Sequence, residues 1–299
     1  MSQKRKETAM KVKYGLLLSF AVLALLLAPT PAHAMYADGM NMYQYVQSNP
    51  IRYVDPTGLF HAEQHKSITR EGWKQTKLTF QAGRGAIGAT YLGDLVEQNV
   101  NTDYTHTFTP AYHAQDVGFV DLVKKRMDSI KSQECWKNWA WTKGDWTILN
   151  DMGTAIHILQ DISAHTDWVE GTRMDVVYKA YGDTLRGKNK PNEGPVSLTK
   201  IARGDSSEFK SVVFYTGGTN PWKENDPHNR YAADTPSYGR ARDRDEKDKL
   251  LGLGTVAYTR AETHATATTK AFILWSKNNM TKCCCEILFG RGNCNGNKE

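Results

Sequence analysis

Three side chains able to bind a metal ion, His157, Asp161 and His165, recur at four-residue spacing in the stretch from Asp151 to Glu170. A helix turns about 100° and rises about 1.5 Å per residue, so the three form one inclined row with neighbours about 6 Å apart. Ile156, Ile158, Leu159 and Ile162 flank that row and would bury it inside a bundle. Two imidazoles and a carboxylate buried together are costly unless a partner satisfies them. A divalent cation does so, and neutral imidazole nitrogen with carboxylate oxygen is a ligand set that zinc takes. An exposed polar face is the bland alternative, but the segment is apolar almost all round and leaves no such face.

The chain has nine histidines, and His33 lies in the leader described below. His61 and His65 stand four apart at the start of the first predicted helix, on one face. Asp103, His106 and His113 cluster in what the pattern makes the loop after the second helix. His264 falls in a long final helix among small Ala and Thr residues, and His228 in a polar loop. Any one of these alone is an ordinary core or surface histidine. As a set they supply enough nitrogen for two or three metal ions.

The elements that must hold these residues read as helices. Apolar residues recur every three or four positions over Ala62 to Leu78, Ala86 to Val100, Val117 to Ile130 and Trp146 to His165. Met174 to Leu185 and Lys247 to Trp275 show the same period. Polar loops rich in Asn, Gly, Asp and Pro run from Arg186 to Val196 and from Thr216 to Tyr238. No alternation of the kind a sheet needs is present. The pattern predicts an all-α bundle of roughly six or seven helices with long loops.

The ends of the chain differ from this middle. Lys4, Arg5, Lys6, Lys11 and Lys13 precede an apolar run from Leu16 to Ala28, then Pro-Thr-Pro-Ala-His-Ala. That is the layout of a secretory signal cut near Ala34, and the run is shorter than the roughly 20 residues that span a bilayer. The expected location is therefore secreted or periplasmic. Removing the leader's five basic residues and Glu7 takes the formal charge from +6 to about +2. So weak a charge makes nucleic acid the less favoured partner.

Of the five cysteines, Cys283, Cys284, Cys285 and Cys294 crowd the tail, while Cys135 stands apart. Export favours bridges within the tail or from it to Cys135, and an odd count leaves one thiol over. Adjacent cysteines do not fit the spacing of a zinc knuckle. Trp136, Trp139, Trp141 and Trp146 form an aromatic cluster that suits a core, a membrane interface or base stacking. The charges from Arg240 to Lys249 alternate as a solvated helix face.

Two family resemblances add to this. Residues 35–59 include Gly39-Met40-Asn41, Tyr45, Asn49-Pro50, Tyr53 and Asp55-Pro56-Thr57-Gly58-Leu59. They resemble the end of the Rhs repeat-associated core, which implies a toxin or effector domain from Phe60 onward and an immunity protein as partner. The segment from Ala155 to Glu170 resembles the signature helix of the zinc-dependent phospholipase C / P1 nuclease-like fold, closest to its HET-C-like branch. His65-Lys-Ser-Ile-Thr-Arg-Glu71 is similar to the family's opening helix.

This likeness implies a helical bundle of the zinc-dependent phospholipase C type over residues 60–276; the Cys-rich tail, 277–299, follows it. The likeness implies one zinc on Asp103, His113, His157 and Asp161, and Asp161 bridging to a second shared with His65. His61, or the amine of Phe60 after cleavage at Leu59, would complete that second site. A third zinc would take His165 with His264 and His228, and Glu170 as a weaker candidate. The implied activity is phosphodiester hydrolysis, of phospholipid before nucleic acid, with Asp103 and Asp161 as the catalytic carboxylates. A non-catalytic zinc-stabilised module is the competing expectation. Phospholipase C and P1-type members space the helix ligands His-x3-Asp-x5-His, whereas this chain reads His-x3-Asp-x3-His.

Overall fold

A computed structural model describes residues 62–79, 91–106, 109–134, 144–171, 173–180, 195–215, 231 and 257–297. All of them belong to one unit, Pro50–Glu299. The leader, residues 35–59, His61, Cys135, the tryptophan cluster's side chains and His228 lie outside the described residues.

The described elements are α1 (Ala62–Thr76), α2 (Tyr91–His106), a 3-10 turn (Pro110–His113), α3 (Phe119–Ser132) and α4 (Gly144–His165). They continue as α5 (Arg173–Ala180), α6 (Leu198–Ala202), α7 (Ala257–Asn279) and α8 (Lys282–Phe289). Among the described residues there is no strand beyond an isolated bridge between Thr166 and Phe214. The all-α expectation holds. No described helix is long and apolar enough to cross a membrane.

The bundle is organised around α4. Every residue from Asp151 to Gly171 is buried, as a helix that is apolar nearly all round must be. Helices α2, α3 and α7 pack directly on it, and α1 lies against α2 and α7. The core joins Leu95 of α2, Phe119, Val123, Met127 and Ile130 of α3, Ile156, Leu159 and Ile162 of α4, and Phe272 and Ile273 of α7. Each such side chain contributes roughly 1.5–3 kcal/mol when fully buried. Helix α3 shows the amphipathic logic plainly, with Lys124, Asp128 and Lys131 paired on the face away from that core.

Two glycines allow helices to approach closely where the chemistry sits. A Cβ at Gly153 would lie 2.6 Å from the Cβ of Gln98 and 2.7 Å from the backbone nitrogen of Asn99. A Cβ at Gly72 would lie 2.7 Å from Cγ2 of Thr269. The first contact seats α2 against α4, and the second seats α1 against α7.

Two features differ from the sequence pattern. The second helix does not stop at Val100 but runs to His106, so Asp103 and His106 lie on a helix and not in a loop. The tail, for which the sequence pattern predicts no element, forms α8: Cys284, Cys285, Leu288 and Phe289 on it join the main core, as does Cys294 beyond it. Cys285 and Cys294 are bridged, as expected for the tail, and Cys283 is also in a disulfide. Cys284 keeps its thiol, which donates to the Gln133 carbonyl at 3.6 Å, beside a 3.1 Å bond from Thr281 Oγ1 to the same oxygen.

Candidate metal centre

Four elements bring the candidate ligands together. Helix α4 presents His157 and Asp161 one turn apart, α1 contributes His65, α2 contributes Asp103, and the 3-10 turn contributes His113. That turn is set locally: Pro110 sits in its first positions, and Ala114 closes it in the left-handed region at φ 47°. The Gln115 amide then bonds back to the Pro110 carbonyl at 3.0 Å.

His157 Nε2 lies 3.2 Å from Asp161 Oδ2, 3.3 Å from His113 Nδ1 and 3.4 Å from Asp103 Oδ1. His113 Nδ1 lies 3.3 Å from the same Asp161 Oδ2. On the other side of this carboxylate, Asp161 Oδ1 lies 3.3 Å from His65 Nε2 and accepts no hydrogen bond among the described residues. Asp103, His113 and His157 form one group able to hold a metal ion, and His65, His157 and Asp161 another.

The far nitrogen of each ring is engaged outside the centre. His113 Nε2 donates to the His106 carbonyl at 3.1 Å, and His157 Nδ1 lies 3.2 Å from Asn99 Oδ1. His65 Nδ1 contacts Gln160 Oε1. A neutral imidazole has one N–H, so donation outward leaves a bare lone pair facing inward. The inward nitrogens of His113 and His157 then face carboxylate oxygens of Asp161 and Asp103, acceptor against acceptor. Such an arrangement repels itself until a cation enters it.

Electrostatics agree with a neutral His157 ring. Burial, and then the neighbouring His65, push His157 down to about 3 against the pull of Asp161. Burial raises the Asp161 carboxyl, but His157, His165 and the contact from His113 more than offset this, and it stays well below the usual carboxylate range. The consequence for stability has a definite sign. Between about pH 6.5 and 3 the unfolded chain binds a proton at His157 that the native state refuses, so stability falls as pH falls. Asp161, with its folded value also lowered, adds to the loss below its unfolded value of 3.8. Urea unfolding of metal-free protein at pH 7, 6 and 5 is expected to show stability falling by about 1 kcal/mol per unit below pH 6.5. A flat profile there would mean that His157 is protonated in the native state.

The other sequence-predicted residues are placed differently. His165 directs Nδ1 to the His113 carbonyl at 2.6 Å, and so holds the ligand turn from its backbone side. His264 meets Ser163 Oγ at 2.8 Å, about 200° round α4 from Asp161. Glu170 is buried, with Arg260 Nη2 3.7 Å from its carboxylate. Neither His165 nor His264 falls in a metal-holding group among the described residues. Sequence reasoning missed Asn99, Gln160 and Thr69, which back the rings. Weak signals existed: Asn99 is four residues before Asp103, and Gln160 is three after His157. No family model, curated protein or solved structure matches the chain.

Proposed function

We propose that the chain is an exported zinc-dependent phosphodiester hydrolase of the phospholipase C type, acting as a toxin or effector domain on membrane phospholipid. One arrangement supports this. Four donor atoms, Asp103 Oδ1, His113 Nδ1, His157 Nε2 and Asp161 Oδ2, have mutual separations of 3.2, 3.3, 3.3 and 3.4 Å along four of their six edges. Ligands about 2.1 Å from a tetrahedral zinc stand roughly 3.4 Å apart.

Asp103, His113 and His157 would hold one ion, with Asp161 Oδ2, 3.2 and 3.3 Å from the two histidine nitrogens, as the nearest fourth donor. Asp161 Oδ1 and His65 would begin a second site with fewer protein donors, where positions stay open for water and substrate, as catalytic zinc requires. His61 or the Phe60 amine would join it, whereas His165 and His264, engaged with the His113 carbonyl and Ser163, do not come together as a third set among the described residues. Bound there, divalent ions supply Lewis acidity toward a phosphodiester oxygen and acidify water. Within that frame Asp161 would serve both sites, and its buried carboxylate would balance the charge. Asp103, 9% exposed where His65, His157 and Asp161 are 0%, has an edge toward solvent and would orient the attacking water.

The same depth of burial favours a second reading, a zinc-stabilised module without catalysis. One experiment separates them. The zinc-to-protein ratio of the purified chain is measured beside His157→Ala, followed by headgroup release from phosphatidylcholine vesicles and cleavage of single-stranded DNA. Two or three zincs, fewer in the variant, with headgroup release is the expected result. DNA cleavage instead would make it a P1-type nuclease. Zinc without either activity would leave the structural module, and no zinc would remove the basis of the hydrolase.

A further inference from the structure

Asn99, Gln160, Thr69 and Thr269 come from α2, α4, α1 and α7, and all four are fully buried. They make one hydrogen-bonded knot behind the candidate ligands. The Asn99 amide nitrogen is 2.7 Å from Thr69 Oγ1 and 3.1 Å from Gln160 Oε1. The Gln160 amide nitrogen is 3.0 Å from Thr69 Oγ1 and 3.0 Å from Thr269 Oγ1. The two amide oxygens face the rings, Gln160 Oε1 toward His65 Nδ1 and Asn99 Oδ1 toward His157 Nδ1.

An amide can be turned end for end with little change in shape, so its direction is decided by where the protons go. Taken as described, every contact is served. The two amide groups donate four hydrogens, two of them to the two lone pairs of Thr69, and each imidazole donates its Nδ1–H to an amide oxygen. Turn both amides together and the rings must become acceptors at Nδ1, with their protons on Nε2 facing Asp161. Thr69 then faces two amide oxygens with a single hydrogen to give. One oxygen–oxygen contact is left without a proton, and one Asn99 N–H without an acceptor. The Thr269 hydroxyl suits either direction. Within the knot Thr69 alone distinguishes the two directions, and its preference opposes that of Asp161, which in the metal-free chain would accept from both Nε2–H groups of the turned arrangement at 3.2 and 3.3 Å.

We propose that Thr69 is a positioning residue that fixes the polarity of the Asn99–Gln160 amide chain, and through it keeps His65 and His157 in the Nδ1–H tautomer with both Nε2 lone pairs presented to a cation. The tautomer half of this stands on hydrogen-bond geometry; its effect on affinity rests on the metal-binding function proposed above. Outer partners of this kind change metal affinity about 10–100-fold. Thr69→Val keeps the shape and removes the hydroxyl, whereas Thr69→Ser restores it.

The test uses the full chain, stripped of metal and labelled with 15N-histidine, and reads the protonation site of each ring from long-range proton–nitrogen NMR. Zinc affinity is then measured by competition with a chelating dye. Expected are Nδ1–H at His65 and His157 in the parent, Nε2–H populated in Thr69→Val with zinc binding about 10–100-fold weaker, and both properties recovered in Thr69→Ser. A parent with its protons on Nε2 overturns the proposal without any variant, as does Thr69→Val with unchanged tautomers. A parent with Nδ1–H rings that takes no zinc supports the tautomer assignment while ending the hydrolase proposal, so the two failures are distinct.

Discussion

Asp161→Asn is expected to lower hydrolysis of phospholipid vesicles by about 10³-fold or more, equivalent to ~4 kcal/mol of barrier, and to remove at least one zinc per chain. Asp161 is the residue whose two oxygens face both sides of the centre, Oδ2 toward His113 and His157 and Oδ1 toward His65. Asparagine preserves the shape but takes away the one negative charge at the middle. It also turns an N–H₂ toward one of the two sides, where a cation would sit. The loss should therefore exceed that of a peripheral ligand. Circular dichroism of the variant checks that the helices survive. Headgroup release and zinc content equal to the parent's would end the assignment of Asp161 as the bridge.

Removing metal is expected to lower the melting temperature by roughly 8–16 °C for each ion bound at about a thousand times its dissociation constant. At that saturation one ion contributes about 4 kcal/mol, because it binds the folded chain and not the unfolded one. The physical source is visible in the site. Without a cation, the inward nitrogens of His113 and His157 face carboxylate oxygens of Asp103 and Asp161 at 3.2–3.4 Å, acceptor against acceptor, where α2, the 3-10 turn and α4 meet. Chelator should lower the transition and zinc should restore it. Magnesium should not, because it favours oxygen ligands and near-octahedral geometry that two carboxylates among three imidazoles do not provide. A melting temperature indifferent to chelator would mean that no ion contributes to the fold.

Much of the site was legible because it is periodic. The row from His157 through Asp161 on a helix apolar on all sides can be read from spacing alone, and so can the helical class. Asp103 and His113 were recognisable as candidates, but their setting was not. The polar run Asn99-Val-Asn-Thr-Asp-Tyr-Thr-His106 looks like loop chemistry, yet it stays helical. Asn99 and Thr102 face inward there, where other helices satisfy them. The backing residues were illegible for the same reason in stronger form. Thr69, Asn99, Gln160 and Thr269 are neutral polar residues with no spacing signal between them, and only the meeting of four helices gives them partners. Helix α8 was hidden by composition, since three cysteines in a row and a Gly/Asn-rich end suggest a tail while Leu288 and Phe289 supply the core contact.

The stretch from Asp151 to Gly171 has no residue at the surface, and this limits how such a protein can diversify. Along those positions each exchange alters either the volume of the core or the donors of the site, so neutral drift has little room. New substrates would have to be acquired by replacing the loops and helix ends around an unchanging axle.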